Sequence, residues 1–282
     1  MFTLSLCLFL CLGFVATAGD TKSCCSATKA SATSKFASLT SEKSFRNAHL
    51  EPVPLAFEAE KGTWKSLKTS DGTDTKIFEV KSDKPTSKFV FMIHEWWGLN
   101  EYIQRGAERL QKELPDVTVI ALDLYDGNIA TDRENAAKFM GSVKQERAQV
   151  IIKSAIEYCG PKAMISTIGW CFGGGWSLQT TLLAGKQAAG CVMYYGMPET
   201  DIAKLKTLTA DVLGIFAKQD QWINPGVVST FEKNMKAAGK KLTVKMYDAD
   251  HAFANPSNPK FDKVATEDAH INAVEFLKSH LK

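Results

Sequence analysis

A glycine-rich run in the middle of the chain constrains the fold more than any other stretch. Residues 163–168 are apolar and partly β-branched, as in a buried parallel strand, and residues 177–183 follow a helix-compatible pattern. Cys171 lies in the turn between them, with Gly169 and Gly173 on either side. A nucleophile held between a strand and a helix has a strained backbone, and only small neighbours let the two elements approach so closely. The pattern Gly-x-Cys-x-Gly therefore predicts a nucleophile elbow that carries a thiol.

The helix predicted after this turn would begin at Phe172 and direct its unpaired backbone N–H groups toward the thiol. Such donors favour a thiolate and stabilise an oxyanion that forms on a substrate. Two other interpretations of the run stay open. One is an ordinary glycine-rich turn around a buried, unreactive Cys171. The other is a dinucleotide-binding loop, although the glycines do not follow the order G-x-G-x-x-G.

Chain length and charge narrow the possible functions. A chain of 282 residues can form one large α/β domain with a substantial core. The formal net charge is +3, so neither nucleic acid nor a membrane surface is predicted as a partner. The predicted partner is a small-molecule substrate, and the predicted assembly is a monomer or a weak homodimer.

The beginning of the chain differs in composition from the rest. Residues 1–18 contain an apolar run and end in Ala-Thr-Ala, which predicts a signal peptide cleaved after Ala18 and a secreted or periplasmic protein. An uncleaved membrane anchor is the alternative. Residues 19–49 are rich in Ser, Thr, Ala and Lys, which predicts a flexible leader. The folded domain is predicted to span residues 50–282.

The cysteine count also bears on function. The predicted signal peptide contains two of the seven cysteines, so an odd number remains after its removal. In an oxidising compartment an unpaired thiol is usually avoided or functional, which indicates that one cysteine is kept reduced for chemistry.

Strands and helices alternate along the rest of the chain. Strands are predicted at residues 64–69, 75–80, 89–93, 117–122, 163–168, 190–195, 211–217 and 242–247. Helices are predicted at residues 102–114, 132–140, 143–158, 177–183, 225–238 and 262–281. This pattern predicts an α/β fold with a mostly parallel, doubly wound sheet, helices on both faces and an N-terminal antiparallel edge hairpin. Ligands of such sheets bind at the carboxyl ends of the strands, so partners of the thiol should directly follow strands.

Two residues meet that requirement. Asp220 follows one predicted strand and His251 follows the next, and the order nucleophile, acid, histidine is that of α/β-hydrolases. His251 would take the proton of the Cys171 thiol and deliver it to the leaving group, while Asp220 would fix the tautomer of the imidazole. Asp248 and Asp250 are alternative acids, although short acidic side chains also form turns.

Other residues follow strands at the same predicted edge. Glu95 could hold or deprotonate the thiol, or it could be a helix-capping or exposed residue. The backbone N–H groups of Phe172 and Trp96 are the predicted oxyanion donors. Side chains near this edge are predicted to line a substrate pocket, although core packing explains some of the tryptophans equally well. The predicted pocket residues are Trp97, Tyr125, Trp222, Phe253 and Asn255.

The remaining histidines form no metal-binding motif. His49 precedes the predicted domain, and His270 and His280 lie on the last predicted helix. His94 is followed by Glu95, but the second histidine of a zinc motif is missing. No metal site and no cofactor are predicted.

Several short segments carry a resemblance to a known family. They are residues 94–100 (HEWWGLN), 123–125 (DLY), 169–174 (GWCFGG), 194–196 (YYG), Asp220 and residues 250–253 (DHAF). On these segments the chain resembles the dienelactone hydrolase family of α/β-hydrolases over residues 50–282. The resemblance implies a Cys–His–Asp triad at Cys171, His251 and Asp220, with Glu95 interacting with the resting thiol. It also implies hydrolysis of a lactone or ester through a thioester, without a cofactor.

One departure from the family concerns the substrate. Members that act on dienelactone hold its carboxylate with arginines near the loop after Asp-Leu-Tyr and just past the histidine. The corresponding positions here look like residues 126–127 (Asp-Gly) and Asn255, so neutral esters or lactones fit this chain at least as well. Two other functions are a ligand-binding module without catalysis and thiol redox chemistry with Cys24 or Cys25, although the chain contains no C-x-x-C motif.

Overall fold

An eight-stranded sheet organises the described part of the chain. The structure, a computed structural model, describes residue 1, residues 31–258 and residues 260–282. The strands are β1 (Thr63–Leu67), β2 (Thr75–Val80), β3 (Lys88–Ile93), β4 (Thr118–Leu122), β5 (Met164–Trp170), β6 (Ala188–Tyr194), β7 (Asp211–Ala217) and β8 (Leu242–Tyr247). Their order across the sheet is β1-β2-β4-β3-β5-β6-β7-β8.

The sheet is parallel except at one edge. β1 and β2 form an antiparallel hairpin, and β2 pairs antiparallel with β4. All further pairs, from β4 with β3 to β7 with β8, are parallel. The predicted doubly wound sheet and its antiparallel edge hairpin are confirmed.

Helices cover both faces of the sheet. They are α1 (Ala32–Ser38), α2 (Lys43–Ala48), α3 (Glu101–Glu113), α4 (Arg133–Ser142), α5 (Gln145–Cys159), α6 (Phe172–Ala184), α7 (Ile202–Lys206), α8 (Pro225–Ala238) and α9 (Lys263–His280). Successive side chains of β5 point to opposite faces of the sheet. The Thr167 hydroxyl lies 2.7 Å from that of Ser177 on α6, whereas Ile168 faces a cavity between α3 and α9.

Local sequence explains where several helices begin. The Asn224 side chain accepts hydrogen bonds from the backbone N–H groups of Gly226 and Val227, and Pro225 occupies the first helical position of α8. Asp262 accepts in the same way from Ala265 at the start of α9. The predicted start of α8 is therefore confirmed.

The segment of residues 31–49 is helical, which differs from the prediction of a flexible leader over residues 19–49. It contains α1 and α2, and the rings of Phe36 and Phe45 are buried in the core. The ring centroid of Phe45 lies 5.3 Å from that of Trp96 and 5.1 Å from that of Trp222. Tertiary packing of these two rings thus outweighs the polar composition of the segment, and the folded unit includes these residues. The signal peptide and residues 19–30 lie outside the described residues and stay predictions.

Two further observations concern the helices. The short helix α7 was not predicted, because five residues are too few to show a helical period. In the described ranges, no helix combines the length and the apolar composition needed to cross a bilayer.

The burial of Phe45 makes the docking of residues 31–49 testable. Because the ring is fully buried, we expect Phe45→Ala to weaken docking by about 3 kcal/mol, which is typical of removing a buried phenylalanine. Hydrogen exchange measured by mass spectrometry should then show lost protection in residues 31–49. Phe231→Ala, which removes an equally buried ring from α8, is the matched control and should leave that segment protected. Unchanged exchange in Phe45→Ala would contradict the packing described here.

Candidate active site

Cys171 occupies a strained turn between β5 and α6. Its backbone has φ 53° and ψ −116°, and residues other than glycine rarely adopt such a positive φ. Its N–H donates to the Tyr194 carbonyl at 3.0 Å. A Cβ on Gly169 would overlap the Gly173 carbonyl, and one on Gly173 would overlap the Ile93 carbonyl. The glycines therefore permit the close approach of strand and helix that an elbow requires.

A continuous chain of contacts joins the thiol to an imidazole and a carboxylate. The Sγ of Cys171 lies 3.3 Å from Nε2 of His251, whose Nδ1 lies 2.6 Å from Oδ2 of Asp220. The other oxygen of Asp220 accepts hydrogen bonds from the N–H groups of Trp222 and Ile223 at 2.8 and 2.9 Å. The carboxylate is thus fixed by backbone donors on one side and holds the imidazole on the other.

The two alternative acids face elsewhere. Asp248 accepts from the Gln219 side chain at 3.3 Å, and Asp250 forms an ion pair with Lys260 at 2.8 Å. Asp220 is therefore the carboxylate that contacts His251.

Burial and charge act in opposite directions on these groups. Burial alone would lower the pKa of His251, but the negative charges of Asp220 and Cys171 outweigh it and hold that pKa well above its ordinary value. Burial raises the pKa of the Cys171 thiol, and the positive charge of His251 and the Phe172 N–H offset this only in part. The negative charge of Asp220 therefore makes His251 a stronger base toward the thiol, although burial makes the thiolate costly to form.

His49 is the site residue that the sequence did not reveal. It lies at the end of α2, is buried, and places Nε2 3.8 Å from Sγ of Cys171. Its Nδ1 lies 2.8 Å from the Phe45 carbonyl, and its ring stacks on Trp96 with centroids 4.6 Å apart. Burial, assisted by the charge of His251, lowers the pKa of His49 to about 3, so the ring is neutral. The available signal was the spacing of four between Phe45 and His49, which puts both on one helix face.

Glu95 is a buried carboxyl close to the thiol. Burial raises its pKa to about 7, although the charge of His251 and a hydrogen bond from Asn255 act in the opposite direction. Its negative charge also raises the pKa of the thiol. No hydrogen bond joins Glu95 to Cys171 among the residues that the structure describes, so a direct interaction between the two stays a prediction.

His94 supports the loop that carries Glu95. It is buried, its Nδ1 lies 2.8 Å from the Glu95 carbonyl, and its Nε2 accepts from the Leu124 N–H at 3.2 Å. Its ring also stacks on Phe172 with centroids 5.6 Å apart. His94 thus ties the ends of β3 and β4 to the start of α6.

The predicted oxyanion donors belong to elements that meet at the thiol. Phe172 is the first residue of α6, and its backbone N–H acts to lower the pKa of the Cys171 thiol. Trp96 is fully buried between the rings of Phe45 and His49. Their role toward an oxyanion stays a prediction.

The predicted pocket residues lie at different depths. Trp222 is beside the site, with its ring centroid 5.8 Å from that of His251. The other aromatic members are buried in the core, and Asn255 accepts from the Ser257 N–H at 2.8 Å. The aromatic core members are Trp97, Tyr125 and Phe253.

A cavity of about 450 Å³ lies between α3 and α9 and reaches Glu95. Its walls are mainly apolar, and none of the five predicted pocket residues lines it. Arg105 lies at this cavity 5.4 Å from the Tyr102 ring, and Arg109 is paired with Glu113 at 3.1 Å. The apolar lining includes Met92, Ile103, Ile168, Trp170, Tyr194 and Phe261.

The raised pKa of Glu95 predicts how stability depends on pH. In the unfolded chain this carboxyl ionises near 4.5, but in the folded protein it keeps its proton up to about 7. The folded state therefore binds the extra proton in that interval, and the free energy of unfolding falls as pH rises, by about 3 kcal/mol at most. Since Glu95→Gln removes this loss, the variant should be more stable than the unchanged protein at pH 8 and similar to it at pH 4. Urea unfolding at both pH values, with the exposed Glu275→Gln as control, measures the difference. An equal effect of Glu95→Gln at both pH values would contradict the prediction.

Comparisons with known proteins identify related sequences. Residues 76–281 match the dienelactone hydrolase family. The protein usf of Aquifex pyrophilus is 27% identical over 209 residues, which cover 68% of this chain and 88% of that protein. Carboxymethylenebutenolidase 1 of Cupriavidus pinatubonensis is 24% identical over 212 residues, which cover 69% of this chain and 88% of that enzyme.

Solved structures show the same fold. A dienelactone hydrolase-like promiscuous phosphotriesterase from metagenomic libraries superposes with a TM-score of 0.67 at 16% identity, over 79% of this chain and all (100%) of that one. An esterase of Pyrococcus furiosus superposes with a TM-score of 0.62 at 14% identity, over 83% of this chain and all (100%) of that one. Because the family match extends over most of the described domain, the chain belongs to the dienelactone hydrolase family, within the α/β-hydrolase fold.

Proposed function

We propose that this protein hydrolyses small esters or lactones through a thioester on Cys171. One observation carries the proposal: sulfur, imidazole and carboxylate form an unbroken chain of contacts at the carboxyl ends of neighbouring parallel strands. Membership of the dienelactone hydrolase family and the name of the relative from Cupriavidus pinatubonensis support it. No cofactor takes part in the proposed reaction.

In the first half-reaction His251 accepts the thiol proton at Nε2, and the thiolate attacks the substrate carbonyl carbon. The carbonyl oxygen becomes an oxyanion, which the N–H groups of Phe172 and Trp96 stabilise. Asp220 stabilises the imidazolium that forms. The carbon–oxygen bond of the ester then breaks, His251 returns its proton to the departing alkoxide, and the acyl group remains on sulfur.

In the second half-reaction water replaces the alcohol. His251 takes a proton from water, and the hydroxide attacks the thioester carbon to form a second oxyanion in the same place. The carbon–sulfur bond breaks, and the thiolate recovers its proton from His251. A lactone follows the same steps, except that its alcohol and acid remain parts of one product.

Access to the thiol depends on residues 31–49. Cys171 is fully buried, and Phe45 and His49 pack against the triad. Movement of this segment away from Trp96 and Trp222 would therefore open a path for a substrate to Sγ. Turnover thus includes an opening step, as in other enzymes whose sites close over the reaction.

The charges around the site favour neutral substrates. Arg147 is the cation near the loop after Asp-Leu-Tyr, but it forms ion pairs with Asp126 at 2.6 Å and with Asp71 at 3.0 Å. Its charge is therefore already balanced, and Asn255 brings no charge past the histidine. A substrate carboxylate would also approach the negative charge of Asp220 and, when ionised, of Glu95.

Substitution of the thiol and the imidazole tests the proposed function. We expect Cys171→Ala and His251→Ala each to lower kcat/KM for nitrophenyl acetate by about a thousandfold or more, because both groups act in one reaction sequence. Cys159→Ala removes a free thiol outside the site and should retain activity. Activity retained in either triad variant would contradict the proposal. An inactive natural protein that still binds ester ligands would favour the alternative of a binding module without catalysis.

A substrate panel tests the preference for neutral compounds. We expect kcat/KM for an uncharged lactone to exceed that for its carboxylated analogue, because Arg147 is already paired and Asn255 is uncharged at the positions where family members that act on dienelactone hold the carboxylate. Measurements at two ionic strengths separate this charge effect from shape, since added salt should narrow the difference. A preference for the carboxylated compound would contradict the charge argument and leave the triad intact.

A further inference from the structure

The Cys171 thiol has an imidazole on two sides. Nε2 of His251 lies 3.3 Å from Sγ, and Nε2 of His49 lies 3.8 Å from it. The proposed hydrolysis uses only His251. Among the described residues, His49, Cys171 and His251 each offer a donor atom within 4.8 Å of the other two.

We propose that these three side chains bind a zinc ion and that the bound ion switches the hydrolase off. Nitrogen and sulfur ligands of one tetrahedral zinc ion lie about 3.5 Å apart. The two Nε2–Sγ distances, 3.3 and 3.8 Å, lie on either side of that value. A small approach of the two imidazoles therefore completes three of the four ligand positions, and the fourth is left for water.

The outer partners of both histidines fit a metal site. Nδ1 of His49 lies 2.8 Å from the Phe45 carbonyl, and Nδ1 of His251 lies 2.6 Å from the Asp220 carboxylate. Metal-binding histidines almost always donate their second N–H to such an acceptor, which fixes the tautomer and orients the ring. Here the two acceptors hold Nδ1 of His49 and of His251, so that Nε2 of each ring faces the Cys171 sulfur.

Charge balance favours a divalent ion at this place. The Cys171 thiolate and the Asp220 carboxylate together carry two negative charges, which a divalent cation balances inside the core. On binding, the ion displaces the thiol proton and any proton on Nε2 of His251 to solvent. Ionised Glu95 would add to the attraction.

The donor set selects the kind of ion. Two imidazole nitrogens and one thiolate suit zinc, whereas magnesium and calcium prefer oxygen ligands. A zinc ion at this point occupies the Sγ lone pair that must attack the carbonyl and the Nε2 that must accept the proton. It also ties His49, and with it residues 31–49, to the closed position.

Direct binding to the full chain tests the site without any substrate. Metal-free protein titrated with zinc chloride in a calorimeter should bind one ion at this site and release protons. The zinc should slow alkylation of Cys171 by iodoacetamide, measured by peptide mass mapping, and a chelator should restore it. Cobalt should give a thiolate-to-metal charge-transfer absorption, and magnesium should give none of these effects.

Variants of His49 separate the site from other zinc ligands in the chain. His49→Gln keeps a polar side chain at this position and should weaken zinc binding by at least about tenfold, the low end of what loss of even an outer partner costs. His49→Cys supplies another zinc ligand and should restore much of the binding. His280→Gln, on α9 beside Asp211, is the matched control and should bind zinc as the unchanged chain does.

Two outcomes would overturn the proposal. Unchanged zinc affinity in both His49→Gln and Cys171→Ser would place the ion elsewhere, for example at Cys24 and Cys25. Zinc binding that leaves Cys171 fully open to alkylation would also show that the ion binds elsewhere. Because affinity is measured without turnover, a protein that binds zinc in this way but is inactive when metal-free would refute the proposed hydrolysis and leave the zinc site standing.

Discussion

The close contact between β5 and α6 is the constraint on which the site depends. Cys171 keeps a positive φ, which costs about 1–3 kcal/mol, only because the elements on either side cannot move apart. Two kinds of interaction hold them together. Gly169 and Gly173 allow the backbones to meet, and Thr167 bonds across to Ser177 and Thr181 on α6 at 2.7 Å. This buried hydroxyl network is fully satisfied within the core, so it fixes the spacing of strand and helix.

The sheet register brings the partners to the same point. In the pairing of β7 with β8, Ala217 lies opposite Tyr247, so both strands end at the same level. Asp220 and His251 follow within a few residues of these ends, and backbone N–H groups of Trp222 and Ile223 turn the carboxylate toward the imidazole. Parallel pairing therefore brings Cys171, Asp220 and His251, which are far apart in the sequence, together at one edge of the sheet.

The sequence predicted those parts of the molecule in which local pattern and tertiary structure agree. The buried strands, the Asn224 cap and the chain order of Cys171, Asp220 and His251 are of this kind. Residues 31–49 are not, because their composition is polar on average while two buried rings decide their position. His49 could not be placed for the same reason, since only the docking of α2 brings it to the thiol. The pocket was also not predictable, because nearly every aromatic residue near the strand ends is buried.

Closure and reactivity are coupled in this architecture. With residues 31–49 docked, burial raises the pKa of the thiol and disfavours the thiolate that attacks a substrate. In the proposed reaction, movement of the segment would remove Phe45 and His49 from the site and let water and substrate approach Sγ. The desolvation penalty on the thiolate then falls, while His251 and the start of α6 remain in place to stabilise it. If turnover follows the proposed mechanism, one displacement would both open the site and activate the thiol, and the docked segment would shield the thiol from oxidation between turnovers.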